Sequence, residues 1–170
     1  MKPQTGRRKS LRFPALVACA GLFVWLSGLS MPLFVASHFG ISGAADAFMP
    51  RVSYMRFMLG IVVLLPLALV YLPNLALRLP GARINLPHRD YWLAAERRAE
   101  TIEYLQRHSV RFGCTLLAFL CYVHWLVVRA NAATPPGLAA AWFVGGLVAF
   151  LAVMLVWTIA LFMRFRLPQR

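Results

Sequence analysis

The sequence predicts an all-α integral membrane protein: a four-helix bundle with a cytoplasmic amphipathic helix between spans two and three. Three observations carry that prediction. The 170 residues are 61% hydrophobic and only 14% charged, far from the soluble average. The uncharged residues collect in four runs, and crossing a bilayer core of about 30 Å takes about 20 apolar residues per helix. The net charge of +13 sits at the ends of those runs, as topology-setting cations do, not as a stripe along one folded face. That distribution argues against nucleic acid as a partner and makes the lipid bilayer the first one.

Taken in order, residues 1–12 are a basic N-terminus with Lys2, Arg7, Arg8, Lys9 and Arg12 and no acid. Span one follows over 13–30. Leu16-Val17-Ala18-Cys19 resembles the lipobox of a cleaved leader, but about four apolar residues precede the cysteine where an h-region needs about 7–15. An uncleaved span is expected. The first helical pair, 13–72, encloses a polar outer loop over 31–53. Span two, 54–72, is entered with Pro50 near the helix start, kinked at Pro66 and ended by Pro73-Asn74.

The connector, 73–111, begins as turn-rich chain at Pro80-Gly81 and Pro87. An amphipathic helix is expected over 90–108, with Asp90 as N-cap. Trp92, Ala95, Ala99, Ile102 and Leu105 recur at helical spacing, and Glu103 and Arg107 form an i,i+4 pair. The entry segment carries Asn85, Pro87, Asp90, Tyr91 and Trp92, and its two aromatic rings favour an interfacial or docked helix; a plain solvated connector is the alternative, and continuity of this helix with span three stays open.

The second helical pair spans 112–163. Span three takes 112–128, an outer turn 131–137, and span four 138–163, about 39 Å of helix that must tilt or protrude. Ala141, Gly145 and Ala149 form a small-xxx-small ridge suited to close helix packing, within the bundle or with a second copy; the homo-oligomeric state stays open. Residues 164–170 are a basic tail. With both termini inside, five cations fall at the N-terminus, seven in the connector and three at the C-terminus, fifteen of the eighteen. Arg51, Arg56 and Arg129 remain outside, so the positive-inside rule favours a bacterial inner-membrane protein with cytoplasmic termini.

Chemistry has few candidates. No Asp, Glu, Lys or Arg falls at mid-bilayer depth, which argues against an ion-coupled pump. His124 is expected near the outer interface beside Trp125. Cys121 and His124 share a helix face, but a metal needs further ligands, and neither a metal nor a cofactor is expected. Cys19, Cys114 and Cys121 read as packing residues, not a disulfide framework. No nucleophile elbow, zinc-protease, P-loop or dinucleotide motif occurs, so no catalytic residue is named and no enzyme is expected.

The outer loop holds the remaining polar groups. His38 and Asp46 flank a Gly40–Gly43 turn that can bring them together, and a carboxylate can hold an imidazole in one tautomer. The plainer alternative has Asp46 capping the next helix and His38 anchoring to headgroups. The order and spacing of Pro32, His38-Phe39, Gly43, Asp46 and Arg51 resembles the signature of the bacterial membrane family called domain of unknown function 1648. Ala44-Ala45 and Ala47 depart from that pattern towards a less hydrated loop. The resemblance covers about 16–72, and some members are SdpI-type immunity and signalling proteins that protect a membrane against a peptide toxin. It implies a sensing or protective role through the outer loop, with a membrane-active peptide or a partner membrane protein as candidate partner. Two alternatives stand beside it: a small transporter or complex subunit, and a membrane enzyme uniting His38, Asp46 and His124.

Overall fold

The computed structural model describes residues 11–76 and 85–166. Residues 1–10 of the basic N-terminus, the Pro80-Gly81 turn and the end of the tail lie outside the described residues. The elements in order are α1 (Arg12–Gly28), β1 (Phe34–Phe39), β2 (Ala45–Pro50), α2 (Arg51–Ala76), α3 (Arg89–Trp92), α4 (Ala95–Asn131) and α5 (Ala140–Arg164). Helices α2, α4 and α5 are long and apolar enough to cross a membrane. Helix α1 is also apolar but has 17 residues, about 25 Å at the α-helical rise.

The core lies between α1, α2 and α4. Phe13, Val17, Ala20 and Val24 recur every three or four residues on α1, and this stripe meets Tyr54, Met55, Met58, Val62 and Val70 of α2 and Leu117 of α4. Large apolar side chains elsewhere on the helices, such as Leu22, Leu64, Leu72 and Leu155, are exposed, an arrangement suited to lipid as solvent.

The expected four-helix bundle is corrected to a three-helix core with α5 on its flank. Among the long helices described, α5 packs against α4 alone, and none of its residues is buried. Its sequence is apolar all round, so no stripe selects a second partner. Gly146 makes the close approach, since a Cβ there would stand 2.1 Å from Tyr122 Cε1. A Cβ on Gly145 would meet open space, and Ala141 and Ala149 are exposed. Ala149 borders a shallow groove with Thr115, Phe119 and Tyr122 of α4, while Gly145 contributes no close packing.

The all-α expectation fails over the loop 31–53, which holds a β-hairpin. Strand β1 runs antiparallel to β2, with Phe34 opposite Pro50, Val35 opposite Met49 and Ala36 opposite Phe48. Val35 and Ala36 are neighbours and both fully buried, which destroys the period-two pattern by which a half-buried strand is recognised. The turn closes through Gly43 N–H to Gly40 O at 2.8 Å and Gly40 N–H to Ala44 O at 2.9 Å. Asp46 therefore sits in a strand and does not cap the next helix.

Two helix ends also move. Helix α2 follows β2 directly at Arg51 and continues past Pro73-Asn74 to Ala76, so that pair does not end it. Each internal proline withholds an N–H from the helix, and Asn74 Nδ2 donates to Val70 O at 2.6 Å. The amphipathic helix and span three are one 37-residue helix, α4, with no boundary at Arg111. No Gly or Pro interrupts Leu105–Phe112, and both halves share one helical period, so they differ only in composition. Asp90 is not the N-cap of this helix. It lies in the short α3, opened by His88 at φ 52°, and the chain breaks at Leu93-Ala94 before α4 starts.

Candidate functional site

The hairpin carries most of the signature residues. Register irregularities between Ala36 and His38 and between His38 and Phe39 mark a bulge, which re-aims the side chain it contains. His38 Nδ1 meets Asp46 Oδ1 at 2.5 Å, with both side chains at least half exposed. Gly43, at φ +84°, forms the turn between them. A side chain there would be strained, and its Cβ would stand 2.2 Å from Leu138 O. Pro32 links α1 to the hairpin and is exposed. His38, Phe39 and Ile41 line an apolar groove of about 450 Å³ together with Val127 and Phe143 of α4 and α5.

Three polar anchors brace this hairpin to the helices. Arg51 Nη1 donates to Met31 O at 2.8 Å and Leu29 O at 3.2 Å, satisfying carbonyls at the end of α1. Asn131, the last residue of α4, acts as a one-residue strand. Its Oδ1 accepts from Ala36 N–H at 2.7 Å, and its Nδ2 donates to Ala36 O at 3.0 Å and Val127 O at 2.9 Å. Leu138 N–H donates to Gly43 O at 2.8 Å, tying the turn to the segment before α5. Asn131 belongs to no motif in the sequence; its signal is an amide at the hairpin end of an apolar helix.

His124 lies level with the last turn of α1 and the first turn of α2, at the hairpin end of the helices. It is fully buried, and its ring joins three helices. Nε2 lies 2.9 Å from Ser27 Oγ of α1, and Nδ1 lies 3.0 Å from Tyr54 Oη of α2. One proton assignment satisfies every group. Ser27 O–H donates to Phe23 O at 2.6 Å, so Ser27 Oγ accepts from His124 Nε2–H while Tyr54 O–H donates to Nδ1. Tyr54 stacks on the imidazole and Phe23 meets it edge-on. His124 is thus spent on Ser27 and Tyr54 and is not joined to His38 or Asp46. Cys121 packs beside the apolar core, and no group of three or more metal-ligating side chains occurs among the described residues.

The connector residues gather at the opposite end, where α5 finishes. Trp92 is buried and its Nε1 donates to Phe165 O at 3.1 Å; its own carbonyl accepts from Thr101 Oγ1 at 2.9 Å. Arg164 lies over the Trp92 ring at 4.6 Å and pairs with Glu100 at 2.7 Å. Tyr91 carries Arg97 over its face at 4.0 Å, while Asp90 is exposed. Asn85 and Pro87 line a cavity of about 380 Å³ with Leu161 and Phe165. About two turns beyond Thr101 on α4, His108 is stacked on Trp157 with ring centroids 4.1 Å apart. No family model, curated protein or solved structure matches this chain.

Proposed function

We propose that this is a four-pass, non-enzymatic protein of the bacterial inner membrane, with both termini cytoplasmic, whose outward hairpin recognises a membrane-active peptide or a partner membrane protein. The observation that carries the reading is the hairpin itself. It is braced to α1, α4 and the α5 approach by Arg51, Asn131 and Gly43, yet presents Phe34, Ile41, Phe48 and the His38–Asp46 pair to the exterior. A rigid scaffold that displays apolar and charged groups together is suited to binding, because little order remains to be lost on association.

The orientation draws on the cation count and on α4. Arg97, Arg98, Arg107 and Arg111 crowd the half of α4 remote from the hairpin, which suits a helix leaving the bilayer on the cytoplasmic side. The 17 residues of α1 are accommodated by local thinning or by their flanking cations. The spacing resemblance to domain of unknown function 1648 adds the protective role. The test substitutes His38→Gln and Asp46→Asn singly and challenges cells with envelope-active peptides. Lost protection at normal protein level is expected; unchanged protection removes the proposal.

A further inference from the structure

Arg51 and Arg56 line one groove, and neither makes a salt bridge to an acidic side chain. All five carboxylate side chains, Asp46, Asp90, Glu96, Glu100 and Glu103, lie in described residues. Asp46 pairs with His38, Glu103 with Arg107 and Glu100 with Arg164, while Asp90 and Glu96 belong to the opposite end of the molecule. Arg51 and Arg56 instead face one groove of about 340 Å³ between α1 and α2, whose walls include Trp25, Leu29, Met55 and Leu59. Arg51 commits Nη1 to two carbonyls, which fixes its guanidinium at the groove mouth. Arg56 is exposed and its long stem suits an interfacial depth.

We propose that this groove seats an anionic glycerophospholipid of the leaflet on the hairpin side, its phosphate between Arg51 and Arg56 and an acyl chain along Trp25, Leu29 and Leu59. The chemistry selects this occupant in three steps. Guanidinium groups bind phosphate through charge-assisted hydrogen bonds. The apolar wall has no use for a free phosphate but matches a chain. A zwitterionic headgroup would bring an ammonium beside two guanidiniums with no carboxylate to receive it, so a net-negative headgroup is preferred. The first turn of α2 adds the positive end of its dipole at the same mouth. This site is independent of what the hairpin recognises.

The test titrates phosphatidylglycerol or phosphatidylcholine into the detergent-purified full chain and counts bound lipid by native mass spectrometry. Phosphatidylglycerol is expected to bind about tenfold more tightly than phosphatidylcholine, the scale of one hydrogen bond to a charged group. Arg56→Gln is expected to erase most of that preference, Arg56→Lys to keep part of it, and Leu29→Trp, which fills the groove, to weaken both lipids. Arg129→Gln is the control, because Arg129 stacks on Trp125 of α4 away from the groove. Equal binding of the two lipids by the unaltered chain overturns the proposal. So does an Arg56→Gln effect no larger than that of Arg129→Gln, or undiminished lipid binding by Leu29→Trp. Displacement of the lipid by glycerol phosphate at similar concentration would show that the chain is not recognised, and overturns it as well.

Discussion

Two histidines with polar partners show how environment assigns their roles. His124 sits where three helices meet, with Ser27 and Tyr54 on its two ring nitrogens and no exposed surface. His38 sits on a bulged strand against Asp46, with most of its side chain in solvent. In the first case the alternative to the hydrogen bonds is an unsatisfied polar group in an apolar medium, so the network is worth keeping intact for stability. In the second the alternative is water, so the pair contributes little to folding and stays free for recognition. The contrast separates what holds this protein together from what it displays.

The strongest attack on that contrast is His124→Ala. It strands the Tyr54 hydroxyl and opens a void between α1, α2 and α4, and a loss of about 3 kcal/mol is expected. Thermal unfolding in detergent reads it. Tyr54→Phe removes one donor only and is expected to cost about 1 kcal/mol, and the double variant should cost less than the two single losses added. Additive losses would show that the three groups do not act as a unit.

Next in size is Gly43→Val, for which about 2 kcal/mol is expected from the positive φ and the Leu138 carbonyl behind it. Its readout is local, as faster amide exchange across 34–50 with the helices unchanged. Asn131→Ala follows, with about 1–2 kcal/mol from losing both bonds to Ala36. Faster exchange of the Ala36 amide checks it; equal exchange would mean that the core, not Asn131, holds the hairpin. At the far end, Arg164→Gln removes the Glu100 pair and the cation over Trp92, and about 0.5–1 kcal/mol is expected. A rise in Trp92 solvent exposure, read by fluorescence, reports that loss.

The sequence made some of this legible and hid the rest for physical reasons. Hydropathy located α2, α4 and α5 because a long uncharged run has few alternatives in water. It left the junction at Arg111 undecided, because a charged and an apolar half-helix share the same period and only the structure shows them as one helix. The hairpin was hidden because buried Val35 and Ala36 are adjacent on β1 and break the alternation. The Gly40–Gly43 turn was legible, since glycine is the residue that a positive φ selects. The partners of His124 were not, because Ser27 lies 97 residues away in the chain and nothing local in an apolar helix names its neighbour. The burial of His124 was hidden as well, since its proximity to Trp125 says nothing of the helices that close over it.

The smallest expected effect completes the comparison. His38→Gln leaves an amide that can still donate to Asp46, at an exposed site, so its stability change should fall within about 0.5 kcal/mol. Asp46→Asn should match it, and salt should not widen the difference, because a pair this exposed is already screened. If both variants unfold with the parent chain and yet lose protection against an envelope-active peptide, the pair serves recognition alone. If either shifts unfolding as far as Asn131→Ala does, His38 is a brace like His124, and the division between display and support fails at the hairpin.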